Sequence, residues 1–229
     1  MRFPPLRPAV CLSRNNRFAA MVREGGRILA AHIPSSGRLR ELIFPGNELW
    51  VADNNTKRAG ATSATVYLAR GGADLVCIHT GLSNSLAVEA WRNGLLPELS
   101  PYREVKREVA AGKSRIDLEF RDGERTCPAE VKCVTLVRDG LALFPDAPTG
   151  RGTKHLLHLA ALASEGRRAA VIFMVQHPGG RRFAPNTAQD PEFDRALRQA
   201  AEAGVLVAVC RCEVGAEAIE ARERIPVVW

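Results

Sequence analysis

The sequence predicts a two-domain α+β/α/β protein, in which an OB-fold-like β-barrel precedes a mixed α/β domain. The first 80 residues are short alternating segments separated by turn residues, which is typical of a small barrel. Beyond them, apolar segments alternate with capped amphipathic ones, which is typical of a sheet flanked by helices. We therefore expect domains at residues 1–82 and 83–229.

Five strands are expected in the first domain. They lie at 17–23, 27–33, 47–52, 64–70 and 74–79. Turn residues such as Gly25-Gly26 and Pro45-Gly46 separate them. An OB-like barrel is the simplest arrangement of five such strands, and any other five-stranded unit is the alternative.

Helices and strands alternate in the second domain. A helix is expected from a Ser83-Asn84 cap to about residue 94, with Pro97 ending it. Two strands carrying acids follow, and Thr153 is expected to cap a second helix that stops at Gly166. A third helix is predicted from Asp190-Pro191 to residue 204.

Apolar runs at 169–176 and 205–212 predict buried strands in the second domain. Gln176, at the end of the first run, is expected either to reach the active-site water or to cap its strand. The apolar C-terminus at 225–229 is expected to pack on the body or on a second subunit, so a homodimer is one possibility.

Acids and a lysine alternate along the two strands after the first helix. Ser114 to Asp117 reads S-R-I-D, and E-V-K follows the Asp122-Gly123 turn at Glu130 to Lys132. Because side chains alternate along a strand, the two acids and the lysine gather on one side of the hairpin. This pattern favours metal-dependent phosphodiester cleavage, and the alternative is a surface hairpin with cross-strand ion pairs.

The metal interpretation gives each of these residues a role. Asp117 and Glu130 are expected to bind Mg²⁺, with Mn²⁺ as a substitute, and Lys132 to orient water or stabilise phosphorane charge. Glu108 is the candidate for a third carboxylate, supplied by a helix or loop, and Glu104 competes with it.

Several cations are candidates for contacts with a phosphate backbone. Arg151, Lys154 and His155 are expected near a helix start, where free N–H groups and the dipole favour anions. A capped helix with solvated cations is the alternative. Arg115 is expected on the opposite strand face from Asp117, where it forms a salt bridge or reaches a phosphate.

Positive charge is concentrated in the first domain. The net charge is +7 and the isoelectric point is about 9.4. Residues 1–80 hold eleven Lys and Arg against five Asp and Glu, whereas residues 81–229 are nearly balanced. Nucleic acid is the first expected partner of such a surface, and a membrane surface the second.

The barrel contains candidates for both phosphate and base contacts. The cations are Arg14, Arg17, His32, Arg38, Arg40, Lys57 and Arg58. The aromatic residues are Phe18, Phe44, Trp50 and Tyr67, which serve either as stacking faces or as core.

Composition excludes several other classes of protein. No apolar run approaches the roughly 18 residues of a membrane helix, so no transmembrane helix is expected, and of the two candidate partners nucleic acid is preferred to a membrane. The N-terminus lacks an apolar signal core, and the six cysteines form no C-x-x-C pair. A cytoplasmic protein with reduced core cysteines is expected.

Motifs spread over nearly the whole chain resemble the sugar fermentation stimulation protein A family. They are Arg17-Phe18, Gly37-Arg38, Pro45-Gly46, Asn84, Ser114-Arg115-Ile116-Asp117, Glu130-Val131-Lys132, Thr135-Leu136, Phe144-Pro145-Asp146-Ala147, Thr149, Arg151-Gly152 and Lys154-His155-Leu156. Two positions depart from the family pattern. Ser35-Ser36-Gly37 replaces Asn-Thr-Gly, and Gly150 replaces an acid.

The resemblance implies an OB-fold joined to a nuclease domain of the PD-(D/E)XK type. It also implies DNA binding and a role in regulating sugar (maltose) metabolism. Asp117, Glu130 and Lys132 match the catalytic triplet of the family, and Glu108 matches its upstream acid.

Three functional hypotheses follow from these observations. The first is a Mg²⁺-dependent nuclease that holds DNA with its barrel. The second is a non-enzymatic DNA-binding regulator on a nuclease scaffold, and the third is an enzyme that acts on RNA. The presence of Asp117, Glu130 and Lys132 together favours the first.

Overall fold

The N-terminal strands close into a barrel. The computed structural model describes residues 1–54, 62–111 and 114–229. The strands are β1 (Arg7–Asn16), β2 (Ala19–Glu24), β3 (Arg27–His32), β4 (Glu48–Asp53), β5 (Ala64–Gly71) and β6 (Asp74–Cys77). β1 pairs antiparallel with β2 and β4, and a parallel contact between β3 and β5 closes a ring of five strands. The predicted OB-like barrel is therefore confirmed.

The membership of the barrel differs from the prediction in two strands. β1 was not predicted, although it pairs with both β2 and β4 and so completes the ring. β6 was predicted as one of the five strands, but it pairs with β5 outside the ring. The Gly25-Gly26 turn between β2 and β3 is confirmed, with φ of 51° and 85°, a backbone region in which glycine is favoured.

The second domain is a mixed sheet flanked by helices. Its helices are α1 (Ser83–Arg92), α2 (Gly150–Ser164) and α3 (Pro191–Glu202). Its strands are β7 (Glu104–Ala111), β8 (Ser114–Asp122), β9 (Arg125–Val134), β10 (Leu136–Arg138), β11 (Leu141–Phe144), β12 (Ala170–Val175), β13 (Arg182–Pro185), β14 (Leu206–Val214) and β15 (Ile219–Arg224). The large sheet has the order β15-β14-β12-β9-β8-β7, and β12 is parallel to both of its neighbours.

A different layer packs on each face of the large sheet. Alternate residues of β12 (Val171, Phe173 and Val175) pack with α2 and α3. The intervening residues pack with α1 and with two barrel residues, Leu68 and Cys77. All six residues of β12 are buried, as its apolar sequence predicts for a central strand. The two domains therefore share part of one hydrophobic core.

Two of the predicted helix caps are wrong. Leu82, not Ser83-Asn84, precedes α1, and it makes no side-chain capping bond. α2 begins earlier than predicted, because the Thr149 side chain accepts a hydrogen bond from the Gly152 N–H. The third cap is confirmed, since Asp190 accepts a hydrogen bond from the N–H of Phe193.

The ends of the predicted elements also show differences. α1 ends at Arg92, and Pro97 begins a short 3-10 turn instead of terminating the helix. A three-stranded sheet, β10-β11-β13, was not predicted.

The C-terminal segment packs on the body, where the Phe183 N–H donates to the carbonyl of Pro226. Within the described ranges, no helix combines the length and apolarity needed to cross a membrane.

Candidate active site

The strands β8 and β9 separate at the predicted acidic cluster. Their backbone pairing runs from Asp122 and Arg125 to Leu118 and Ala129, and no pair beyond it is found in the described residues. From Ala129 onward β9 pairs with β12 instead. The Asp117 carboxylate accepts the Val131 N–H at 2.9 Å, a backbone group that has no partner on β8. Asp117 thus lies at the fork between two diverging strands.

Glu130 is the most enclosed acid at this fork. It is 4% exposed, and its Oε2 accepts hydrogen bonds from Lys132 Nζ at 2.7 Å and His155 Nδ1 at 2.5 Å. Lys132 Nζ also lies 4.0 Å from Asp117 Oδ2. The predicted triplet of Asp117, Glu130 and Lys132 therefore comes together, and His155 of α2 joins it.

The two carboxyl groups have opposite pKa shifts. Burial and the neighbouring charge of Glu130 raise the pKa of Asp117, and the hydrogen bond from Val131 only partly counters them. Burial alone would raise the pKa of Glu130 as well. The hydrogen bond from His155 and the charge of Lys132 outweigh burial, however, and lower the pKa of Glu130 to about 2. Glu130 is therefore firmly ionised, while Asp117 takes up a proton more readily.

His155 links the cluster to the start of α2. Arg151 Nε donates to His155 Nε2 across 3.4 Å, which makes Nε2 the acceptor. The other ring nitrogen, Nδ1, then carries the proton that bonds to Glu130. The imidazole thus holds the Glu130 carboxylate in place, so His155 contacts a candidate metal ligand, whereas the sequence suggested only a phosphate contact for it.

Glu108 differs from its predicted setting. It lies on strand β7, not on a helix or loop, and its φ is 51°. In the β7–β8 register it stands opposite Asp117, because its neighbours Arg107 and Val109 pair with Leu118 and Ile116. Its side chain is 63% exposed and forms an ion pair with Arg115 at 2.8 Å. The competing acid, Glu104, begins the same strand opposite Arg121.

Arg115 also differs from its prediction. It lies two residues from Asp117 on β8, so the two side chains share a strand face instead of taking opposite ones. The ion pair with Glu108 corresponds to the salt-bridge alternative for Arg115.

A cleft of about 580 Å³ opens above the fork, between the barrel and the second domain. The barrel contributes Arg17 and the segment Ser35–Leu39, which we call the barrel loop. The second domain contributes the acidic cluster, Glu108, Arg151 and His155. Arg38, Arg40, Arg115 and Lys154 are exposed but do not line the cleft.

Asp146 connects the two walls of the cleft, a role that its sequence neighbourhood does not indicate. Its Oδ2 accepts the N–H of Leu39 at 3.0 Å, where Leu39 has a positive φ of 46°. A Cβ atom on Gly37 would lie 2.6 Å from the same oxygen, so the contact requires glycine at this position. Arg14 supports the loop from the barrel side through a bond to the Gly37 carbonyl at 3.2 Å. The resemblance included Asp146 in a motif, and this was its only sequence signal.

Gln176 has a structural role that neither prediction described. It is fully buried, and its Nε2 donates to the carbonyl of Cys77 at 2.8 Å. Its Oε1 accepts a hydrogen bond from the Ser83 hydroxyl at 3.0 Å. Gln176 therefore joins β12 to the N-terminal domain and to α1, and it is not itself one of the residues that line the cleft.

The remaining barrel candidates have varied settings. His32 bonds to the Phe18 carbonyl at 3.1 Å, Trp50 packs under Arg70, and Tyr67 packs on His79. These three side chains are half-buried, whereas Phe18 and Phe44 are exposed. Lys57 and Arg58 lie outside the described residues.

The donor set at the fork fits a hard divalent cation in part. Asp117 and Glu130 present carboxylate oxygens to one cleft, which suits a Mg²⁺ ion that keeps water and substrate oxygens as its other ligands. Nowhere in the described ranges do three or more His, Cys, Asp or Glu side chains converge as a complete metal site. Glu108 in particular points to Arg115.

Comparisons with known proteins agree on one family. Residues 12–78 match the family described as "SfsA N-terminal OB domain", and residues 81–218 match "Sugar fermentation stimulation protein RE domain". A sugar fermentation stimulation protein homolog from Desulforamulus reducens is 42% identical, with 98% of this chain and 93% of that protein covered. A homolog from Methanobrevibacter smithii is 39% identical, with 91% of each chain covered.

A solved structure resembles the whole chain. It is described as Pyrococcus furiosus SfsA in complex with Ca²⁺, and it is 32% identical with a TM-score of 0.88. The match covers 100% of this chain and 98% of the other. From the two domain matches, the full-length relatives and this structure, the chain belongs to the sugar fermentation stimulation protein (SfsA) family.

Proposed function

We propose that this protein is a metal-dependent nuclease that hydrolyses DNA in the cleft between its two domains. The observation that carries the proposal is the fork between β8 and β9. It places Asp117 and Glu130 side by side on the cleft floor with Lys132 between them. An ion pair that served stability alone would not need to line an open cleft with both of its carboxylates and its lysine.

Asp117 and Glu130 are the residues that would hold the metal, with Mg²⁺ as the first candidate and Mn²⁺ as the second. Such an ion polarises the phosphoryl oxygen and lowers the pKa of a bound water. The Ca²⁺ in the Pyrococcus furiosus relative supports this assignment, because Ca²⁺ and Mg²⁺ both select carboxylate oxygens. Glu108 lines the same cleft and would be the third acid near the ion, although its carboxylate is paired with Arg115.

Lys132 and His155 have separate tasks in this proposal. Lys132 lies within 4.0 Å of both carboxylates, where its ammonium stabilises the negative charge that develops on the phosphorane. His155 donates its Nδ1 proton to Glu130 and so fixes the orientation of that carboxylate. It acts through Glu130 and is a positioning residue.

DNA is the proposed substrate because the barrel side of the cleft is basic. Arg17 lines the cleft, and Arg38 and Arg40 extend from the end of the barrel loop. On the opposite wall, Arg151 lines the cleft at the start of α2, and Lys154 follows it outside the lining. Cations on both walls fit a polyanion that crosses the acidic floor. We place this activity in the cytoplasm, since the six cysteines are free thiols.

Cleavage of linear, circular and single-stranded DNA in Mg²⁺, Mn²⁺ or EDTA tests the proposal. The wild-type protein should cut only with metal, and Asp117→Asn should lose at least about 10²-fold in rate. Glu119→Gln is the matched control, because Glu119 shares the strand and face of Asp117 but lies outside the cleft lining and pairs with Arg121.

Two results would contradict the nuclease. One is cleavage by Asp117→Asn at the wild-type rate, which would place the activity elsewhere or in a contaminant. The other is DNA binding without cleavage under every metal, which would support the non-enzymatic regulator of sugar metabolism. Cleavage of RNA but not of DNA would keep the chemistry and change the substrate.

A further inference from the structure

Two phenylalanines of this protein are exposed, and both are in barrel turns. The chain has eight phenylalanines, of which Phe120, Phe173, Phe183 and Phe193 are fully buried. Phe18 is 50% exposed and Phe44 is 43% exposed. A single exposed apolar residue is common on protein surfaces. Whether either ring has a function therefore depends on where it lies relative to the cleft and on how firmly its backbone is held.

Phe18 is held firmly although its ring is exposed. It lies in the turn between β1 and β2, where the Asn16 side chain accepts the Phe18 N–H at 2.8 Å. The Phe18 carbonyl accepts the Ile33 N–H at 2.8 Å and a contact from His32 at 3.1 Å. Hydrogen bonds therefore hold the backbone on both sides of Phe18, although its side chain remains half exposed.

Phe18 follows a residue of the barrel wall of the cleft, although it is not itself one of the lining residues. The preceding residue, Arg17, lines the cleft, and Ile33 leads directly into the barrel loop that lines it too. Phe44 also lies near the barrel loop, since the N–H of Ile43 donates to the Leu39 carbonyl, but no cation that lines the cleft adjoins it in sequence. It lies in the turn before β4, which bonds back to Cys11 on β1. Phe18 alone of the two thus combines an exposed aromatic face with a cation at the cleft.

We propose that Phe18 stacks on an unpaired base while Arg17 contacts the adjoining phosphate, so that the cleft selects DNA with a single-stranded segment or a frayed end. Base–aromatic stacking requires an open base face, and bases inside a duplex have none. Because the backbone of Phe18 is already fixed by hydrogen bonds, binding of a base costs little further backbone entropy. This favours the use of the ring as a contact surface. This inference rests on the proposed function and specifies its substrate.

Binding of labelled DNA by fluorescence anisotropy tests the inference. EDTA is present throughout, so that the DNA stays intact. Phe18→Ala should weaken binding of a single-stranded oligonucleotide about 5- to 150-fold, the range measured when stacked aromatics are removed. Binding of a blunt duplex of two complementary strands with G·C-paired ends should change less than about threefold. Phe18→Trp should keep single-strand binding because it keeps an aromatic face.

Phe44→Ala is the matched control, and it should bind both DNAs like the wild type. A 2-aminopurine base in the single strand should be quenched by the wild-type protein and not by Phe18→Ala. The inference is overturned if Phe18→Ala binds single strands normally, or if its affinities for single strands and for duplex fall by the same factor. Metal-dependent cleavage sensitive to Asp117→Asn would still support the nuclease in either case, so the two proposals fail separately.

Discussion

The two walls of the cleft are built in opposite ways. Within the described residues, Arg38 and Arg40 of the barrel form no salt bridge and are exposed to solvent. On the facing domain, Glu130 is almost fully buried and has two hydrogen-bonding partners. Exposed cationic side chains can change rotamer to follow the phosphates of a long polyanion. Catalytic groups, in contrast, must already be held in position before the substrate binds. Under the proposed function, the barrel would supply most of the cations that bind DNA, and the second domain would supply the fixed chemical groups together with Arg151. Mutations can test that division.

The largest effect is expected from Lys132. Lys132→Ala removes the ammonium next to both carboxylates, and cleavage should fall at least about 10²-fold while DNA affinity changes little. Rates under single-turnover conditions and anisotropy in EDTA measure the two properties separately. Lys106→Ala, an exposed lysine of β7, is the control. An equal decrease in rate and affinity would show that this wall also binds DNA.

Charge reversal on the barrel should have the complementary effect. Arg38→Glu with Arg40→Glu should weaken DNA binding on the order of tenfold and flatten its salt dependence, by about 0.9 in the log–log slope for each duplex phosphate that the protein no longer neutralises. Titrations at several salt concentrations measure this slope. Arg195→Glu, an exposed position of α3 away from the cleft, is the control. An unchanged slope would mean that the barrel does not hold DNA.

A smaller effect is expected where the two walls meet. Asp146→Ala leaves the Leu39 N–H without its acceptor, and Gly37→Ala places a methyl group against the Asp146 carboxylate. Each change should destabilise the protein by about 1–3 kcal/mol. Because both disrupt one interaction, the double variant should cost less than the sum of the two. Thermal melts of all four proteins measure this, and strict additivity would exclude the shared interaction.

The smallest effect concerns stability without metal. The raised pKa of Asp117 means that its charged form is disfavoured in the folded state. At neutral pH Asp117→Asn should therefore stabilise the metal-free protein, by roughly 0.5–2 kcal/mol. The gain should shrink as the pH falls through the raised pKa of folded Asp117 towards the ordinary pKa of an aspartate, about 3.9, and should be absent below it, because Asp117 is then protonated in both states. Added Mg²⁺ should stabilise the wild type more than Asp117→Asn.

Substitution of Glu130 is the control for Asp117→Asn, because it should change the free energy of unfolding in the opposite direction. The folded-state pKa of Glu130, about 2, is depressed, so its charge contributes stability above its unfolded pKa of about 4.3. That stability disappears as the pH falls from there through about 2. Glu130→Gln should therefore destabilise at neutral pH, with a penalty that shrinks over this range. The same sign for both variants would contradict the opposite environments of the two acids.

Local patterns predicted the strands of the site well. Asp117, Glu130 and Lys132 follow a two-residue alternation around a turn at Gly123, and this rule needs no knowledge of distant contacts. The start of α2 was misplaced because Thr149 and Thr153 are both suitable caps in sequence. Only the bond from the Gly152 N–H distinguishes them. β1 was missed because its second half, residues 13–16, is wholly polar.

Long-range contacts were beyond the reach of these patterns. Asp146 and Leu39 are 107 residues apart, and Gln176 and Ser83 are 93 apart, so nothing local indicates either pair. The separation of β8 from β9 beyond Ala129 depends on β12, which takes over the pairing. Local patterns thus predicted which acids and lysine come together at the fork, while tertiary structure determined the cleft around them.

The core shared through Leu68 and Cys77 affects how this protein folds and evolves. Those barrel side chains pack among residues of α1 and the large sheet, and Gln176 bonds across the same junction. Cutting the chain between the domains would expose apolar surface on both pieces, so neither half is expected to persist as an autonomous unit. The pair should melt as a single cooperative unit, and one half is not readily exchanged for that of an unrelated protein.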